Sequence, residues 1–342
     1  MSRIVNFGIV GCGIIGNLHA QSIQSLPEDA ALVAVCDEIP GRAEEFAGKY
    51  EGAAAYTSLD ALLAHPGLDA ICVCTPSGMH ADAIIKAAEK GIHSLVEKPL
   101  DITREKLSAI VEAAEKNGVK VGCIFQRRAW DVVNRIKDAV QAGELGKMVL
   151  GDAHMMWYRS QEYYDSGAWR GTYELDGGGA LMNQGIHGID LLQYVMGPIH
   201  SVKAYADTLT HKIDVEDTLT AVIRYKNGAL GTLVVTTSCT PGYPMRHEFM
   251  GEKGTIVLEE DKLVTWNVAG EEKAETAGSG PEGGAADPAA ISMNGHTRQI
   301  QDMAHAIRDD RAPMVPPEEG RTAVDLVLAM YESARTNQEV VL

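Results

Sequence analysis

The stretch GIVGCGIIGNLHA (residues 8–20) sets Gly11, Gly13 and Gly16 in the spacing G-x-G-x-x-G, straight after an apolar run and at the head of a helical pattern. Alone, such a triplet is weak, because glycine is common and chance matches are frequent. Its surroundings make it constraining. Short apolar runs recur at NFGIV (6–10), ALVAVC (31–36), DAICVC (69–74), HSLV (93–96) and KVGCIF (120–125), rich in Val, Ile and Cys as strands covered on both faces should be. Helical patterns lie between them, such as HADAIIKAAEKG (80–91) and DITREKLSAIVEAAEKNG (101–118), the second with Asp101 as a candidate N-cap and a closing Asn-Gly. Strand–helix alternation of this kind predicts a Rossmann-type, doubly wound parallel sheet over residues 1–124.

In that setting the glycines have separate tasks. Gly11 makes the tight turn, Gly13 lets a pyrophosphate approach the backbone, and Gly16 lets the helix pack closely while its N-terminus faces the phosphates. Ile14 and Ile15 complete the loop. The second strand ends at Asp37, about twenty residues on, where a carboxylate hydrogen-bonds the adenosine ribose and repels a 2′-phosphate. This predicts NAD in preference to NADP, although Arg42 is close enough to blur the choice. Thr75, Pro76 and His80, in CTPSGMHADA (74–83), fall at the carboxyl end of a strand, where open parallel sheets place their ligands, and are candidates to line the nicotinamide ribose.

After residue 125 the grammar changes. A helix over 130–143 leads into alternating strands such as KMVLGDAHMMWY (147–158), and TLTAVIRYKNGALGTLVVTTS (218–238) reads as a hairpin about Asn227-Gly228. Residues 125–342 are therefore expected to form an α+β domain with a large, mostly antiparallel open sheet, serving substrate binding and oligomerisation. AGEEKAETAGSGPEGGAADPAA (269–290) reads as a mobile surface loop and GRTAVDLVLAMYESART (320–336) as a closing helix.

The net charge of −17, with no basic stripe, excludes a nucleic-acid partner. No apolar run is long enough to span a bilayer, and the opening MSRIVNFGIVGCG enters a strand without an apolar leader, which predicts a cytoplasmic protein without a membrane partner. The six cysteines are scattered through strand-like runs and form no zinc pattern, so they read as reduced core residues, and no metal is expected.

One strand ends unusually. In HSLVEKPLDI (93–102) it stops at Glu97, Lys98 and Pro99, and Pro99 forces an extended backbone at Lys98. Farther on, GALMNQGIHGIDLLQY (179–194) carries Asn183, His187, Asp190 and Tyr194 at spacings of four, three and four, a polar stripe on one helix face. Three consecutive glycines (177–179) precede it.

The Glu97-Lys98-Pro99 strand end after the glycine loop resembles the glucose–fructose oxidoreductase / inositol dehydrogenase / MocA (Gfo/Idh/MocA) family. The resemblance continues through WRGTYELDGGGALMNQGIHGIDLLQYVMG (169–197), VEDT (215–218) and GRTAVDLVLAMYESA (320–334), and covers nearly the whole chain. It implies an NAD-dependent oxidoreductase transferring hydride between the nicotinamide and a secondary hydroxyl of a sugar, sugar acid or cyclitol. Lys98 would touch the nicotinamide and the reacting hydroxyl, Glu97 would hold the cofactor side, and His187 would be the acid–base residue. Many members carry Asp where this chain has Asn183. Either Asn183 hydrogen-bonds the sugar while Lys98 lowers the hydroxyl pKa and His187 takes the proton, or Asp190 supplies the carboxylate.

Arg128, Arg159, Tyr164, Trp169 and Arg170 offer aromatic faces and bidentate donors to a small carbohydrate. Their segment is similar to the branch oxidising UDP-N-acetylglucosaminuronate at C3. Two other readings share these residues: a glycosidase or lyase that oxidises C3 transiently without net redox change, and a non-catalytic dinucleotide-sensing regulator. The fold commonly assembles through its antiparallel sheet, which implies a homodimer or homotetramer.

Overall fold

The computed structural model describes residues 3–268, 271–273 and 293–342. Its contacts divide the chain into Met1–Gln126 with Met293–Thr322, and Arg127–Ser292 with Ala323–Leu342. The first unit is thus discontinuous in sequence, where a single cut after residue 124 would have made it continuous.

In the first unit β1 (Val5–Val10), α1 (Ile14–Gln24), β2 (Ala30–Cys36), α2 (Arg42–Ala47), β3 (Ala54–Tyr56), α3 (Leu59–Leu62), β4 (Ala70–Val73), α4 (His80–Glu89), β5 (His93–Val96), α5 (Arg104–Asn117) and β6 (Val121–Cys123) follow one another. The six strands pair in the order β3-β2-β1-β4-β5-β6, all parallel. The order reverses direction between β1 and β4, and at that switch point the glycine loop leaves the sheet. Phe7, Ile9, Val35, Cys72 and Leu95 are buried in its core, as continuous apolar runs require. Short β3 escapes the sequence reading because Ala-Ala-Tyr carries no strand signal of its own. Helix α5 is capped by Thr103, whose Oγ1 accepts from Lys106 N at 3.3 Å, and not by Asp101. It closes at Gly118 in the left-handed region. All six cysteines are free thiols.

The second unit contains α6 (Asp131–Gln141), β7 (Met148–Met156), α7 (Gln161–Asp165), a π-helical turn (Ala180–Gly185) running into α8 (Ile186–Met196), then β8 (Ile199–Asp207), β9 (Thr218–Tyr225), β10 (Leu230–Thr236), β11 (Arg246–Gly251), β12 (Gly254–Glu259), β13 (Lys262–Val268) and β14 (Glu271–Lys273). Helices α9 (Met293–Arg308) and α10 (Pro317–Thr336) and strand β15 (Val340–Val341) complete the chain. Nine strands pair in the order β14-β13-β12-β11-β7-β10-β9-β8-β15, antiparallel except for β7 beside β10. The hairpin about Asn227-Gly228 forms as its sequence signals, with Asn227 Oδ1 accepting from Ala229 N at 3.0 Å. Within 269–290, read as loop, residues 271–273 extend the sheet beside β13, and the rest of that stretch lies outside the described residues. Helix α9 returns to the first unit and packs along α1.

Candidate active site

The glycine loop leaves room for a ligand. Gly11 has φ +99°, and a Cβ there would stand 2.6 Å from the Cys74 carbonyl oxygen. A Cβ on Gly16 would collide with the Gly11 carbonyl oxygen, which fixes how closely α1 starts against the loop. At Gly13 the same atom would meet nothing within 4 Å. Gly13 is also the N-cap of α1; no side chain caps that end and no acid stands in its first turn, so its N–H groups remain open to an anion. Ile14 is 70% exposed beside this opening. Asp37 Oδ2 accepts from Cys12 N at 2.9 Å and Oδ1 from Ile39 N at 2.9 Å, so the carboxylate is held against the loop with acceptor capacity left for two ribose hydroxyls. Arg42 Nη1 lies 3.8 Å from Asp37. Thr75 Oγ1 is buried without a hydrogen-bond partner among the described residues. These features fit an NAD molecule along Gly11–Gly16, Asp37 and Thr75-Pro76.

The Lys98 corner is braced from three sides. Glu97 is buried, with the Nε2 atoms of His19 (α1) and His296 (α9) 2.8 and 3.1 Å from its Oε1. Burial opposes ionisation of Glu97, but the two imidazoles outweigh it and hold the carboxyl well below its ordinary range. His80 is buried too. Its Nδ1 lies 2.8 Å from the Pro99 carbonyl oxygen and its Nε2 3.0 Å from that of Thr75, so it ties two strand ends together instead of offering a free nitrogen to a ribose. Asp101 accepts from Ala81 N at 2.9 Å, at the start of α4. The Lys98-Pro99 bond is cis, and Lys98 is half-buried among these fixed neighbours. His19 and His296 were not singled out from sequence, and Asp101 only as a cap for α5; His296 lies 199 positions from its partner Glu97.

In the second unit the polar stripe divides. Asp190 is buried and receives Arg128 Nε and Nη2 at 3.0 and 2.7 Å, while the same guanidinium lies 4.7 Å over the Tyr194 ring. Tyr194 donates to Asn134 Oδ1 at 2.8 Å. Arg128, Asp190 and Tyr194 therefore join α8 to the α6 segment. Arg127 similarly pairs with Glu260 at 2.9 Å. Asn183 behaves differently: its Nδ2 donates to buried Asp176 Oδ1 at 2.6 Å, and its Oδ1 accepts from Gln184 Nε2 at 3.1 Å. The amide is thereby oriented with its oxygen as the acceptor. The carboxylate near this position comes from Asp176, just ahead of the glycine run.

Among the aromatic residues, Tyr164 is buried and its hydroxyl pairs with Thr237 Oγ1 at 2.8 Å. Its neighbour Tyr163 is half-buried. Arg170 Nη1 donates to the Tyr163 hydroxyl at 2.6 Å, and the Arg170 and Arg159 guanidiniums lie 4.3 and 5.5 Å from its ring. Arg170 also stacks on Trp169 at 4.5 Å, and buried Arg159 on Trp157 at 5.3 Å. Burial chiefly, and the like charge of Arg170 in smaller part, lower the Arg159 pKa. An anion beside the two guanidiniums would be stabilised.

A six-stranded parallel sheet with an open glycine loop at its switch point defines a dinucleotide-binding fold. Comparison with known proteins narrows the class. The profile of the oxidoreductase family with NAD-binding Rossmann fold matches residues 5–125, and that of the GFO/IDH/MocA C-terminal domain matches residues 133–257. The chain belongs to the Gfo/Idh/MocA family and is an NAD-dependent dehydrogenase of the sugar and cyclitol class. It is 31% identical to the scyllo-inositol 2-dehydrogenase (NAD(+)) of Bacillus subtilis over 75% of each chain. It is 27% identical to the D-glucoside 3-dehydrogenase of Escherichia coli over 100% of this chain and 98% of the other. The WlbA dehydrogenase of Bordetella pertussis, solved with NADH and UDP-GlcNAcA, superposes with a TM-score of 0.89 at 32% identity, covering 99% of this chain and 98% of that one. No helix among the described residues is long and apolar enough to cross a membrane.

Proposed function

We propose that the protein oxidises a secondary hydroxyl of an anionic, nucleotide-linked sugar acid, of the UDP-N-acetylglucosaminuronate kind, at C3. The observation that carries this reading is the pair of guanidiniums, Arg159 and Arg170, gathered around the Tyr163 ring. Two like charges so placed suit a carboxylate or diphosphate far better than a neutral cyclitol. The likeness to WlbA, solved with UDP-GlcNAcA, supports the same choice.

The bound nicotinamide supplies the hydride acceptor. Lys98 lowers the pKa of the reacting hydroxyl and His187 takes its proton. Asn183, its amide oriented by Asp176, presents a carbonyl oxygen that accepts from a neighbouring sugar hydroxyl. Glu97 and His80 act on the Lys98 corner by fixing it. The protein assembles as a dimer or tetramer through the sheet face on which Val222 and Leu230 are exposed.

Incubating the purified protein with NAD and a panel of UDP-sugar acids, neutral sugars and inositols, while following NADH absorbance, tests the reading. A rise confined to UDP-sugar acids is the expected outcome. A rise with scyllo-inositol alone would replace it with a cyclitol substrate. Product formed with cofactor retained and no NADH would indicate an internal redox cycle, and NAD binding without turnover a regulator.

A further inference from the structure

Three motifs carry the family resemblance in the second half of the chain, and the glycine run of the first, the VEDT segment and the closing helix meet at one place. The glycine run 177–179 precedes the helix that bears Asn183 and His187, and its first N–H groups are all taken by distant residues. Glu216, of the VEDT segment, accepts from Gly179 N through Oε2 at 2.9 Å and from Leu181 N through Oε1 at 2.8 Å. Its carbonyl oxygen accepts from Ala180 N at 2.9 Å. The Tyr331 hydroxyl, from α10, donates to Glu216 Oε1 at 2.9 Å and accepts from Met182 N at 3.2 Å. Side chains at 178 and 179 would collide with the Tyr331 hydroxyl and the Glu216 carbonyl oxygen. Four consecutive N–H groups that a helix start leaves orphaned are thus satisfied from two other elements.

We propose that Glu216 and Tyr331 are positioning residues for His187: together they form a remote cap that sets where the catalytic helix begins and how its ring is presented. A helix whose first turn is π-helical and has no side-chain cap of its own depends on such an anchor for its register. Glu216 is 5% exposed, and burial pushes its carboxyl up to about 7, against the opposing pull of its donors. Tyr331 faces it from α10, Tyr164 from α7, and Tyr173 from the segment before the glycine run; Asp214 and Asp217 flank it in the chain. The three tyrosines all have raised pKa values and stay neutral when Glu216 titrates.

Two full-length variants test this. Tyr331→Phe removes one oxygen, and Glu216→Gln replaces an acceptor with a donor facing the Gly179 or Leu181 N–H. Each should lower kcat about tenfold, as loss of a charge-assisted hydrogen bond would, with the KM for NAD unchanged. The double variant should be no worse than the poorer single one, because both act through one cap. The wild-type kcat should step down as pH falls through about 7, a step missing in Glu216→Gln. Hydrogen exchange at amides 179–182 should quicken in both variants while sheet amides keep their protection. Unchanged kcat and unchanged exchange in the folded variants, or losses that multiply in the double variant, would overturn the proposal. Should Glu216→Gln not fold, Tyr331→Phe decides alone. The turnover arm rests on the function proposed above, using UDP-N-acetylglucosaminuronate as probe. If the wild type does not turn it over, that reading fails, and the exchange data with the imidazole resonances of His187 still decide the cap; resonances unmoved in Tyr331→Phe would reject it.

Discussion

Two helices of this protein begin behind glycines, and the glycines do opposite things. At 11–16, where Gly11 and Gly16 pack the turn against backbone, Gly13 leaves space: a side chain there would touch nothing within 4 Å, and the N-terminus of α1 has no side-chain cap. At 177–179 they remove side chains so that the protein itself can fill the space, with Glu216 and Tyr331 against the backbone. The first start is open, and the second is filled by the protein's own groups. The same residue type therefore carries a binding signal in one place and a packing signal in the other.

Replacing a reacting group gives the largest effect expected on either side of this comparison. Lys98→Met in the first unit and His187→Ala in the second should each lower kcat by about a hundredfold to ten-thousandfold, while NAD titrations remain normal. Wild-type turnover in either variant would remove that residue from the mechanism. Gly179→Ala should destabilise the second unit by about 3 kcal/mol, because a methyl cannot fit against the Glu216 carbonyl oxygen. Denaturant unfolding with and without NAD would show the loss under both conditions. Gly13→Ala should be the mirror image, leaving unfolding within about 0.5 kcal/mol of wild type but weakening NAD about tenfold or more. Equal destabilisation by the two alanines would break the comparison.

The smallest effect concerns two buried carboxyls shifted in opposite directions. Glu97 sits below its ordinary value of 4.5, so its stabilisation is full above that pH and fades as pH falls through its folded value. Glu216 is raised to about 7, so its contribution is full below 4.5 and fades as pH rises through about 7. The stability deficit of Glu97→Gln should shrink on acidification and that of Glu216→Gln on alkalinisation. Unfolding midpoints across this range that move in parallel would contradict the assignment.

The sequence reading reached the parallel sheet and glycine loop of the first unit, whose signals are local, but not α9, which joins that unit from far along the chain. Gly11, Gly13, Gly16 and Asp37 lie on one βαβ segment, and their order alone fixes a turn, an open helix start and an acceptor. The short strand β3 lacked such a signal. In the second unit the spacing of Asn183, His187, Asp190 and Tyr194 reads as one polar face, but the structure spends Asp190 and Tyr194 on Arg128 and Asn134. A helical period shows which residues share a face, and nothing about what that face meets. Tyr163 and Tyr164 are adjacent and chemically identical, and only their surroundings send one to Arg170 and the other to Thr237.

The amino-acid order by itself determined the parallel sheet, the dinucleotide loop, the hairpin at Asn227-Gly228 and the place of Lys98 at a strand end, since each follows from backbone preferences within a few residues. Tertiary structure alone decided that Glu97 is clasped by His19 and His296, that Asp176 orients Asn183, and that Glu216 and Tyr331 cap the helix of His187. Buried polar groups must find partners wherever the folded chain brings them, and those partners can stand hundreds of residues away.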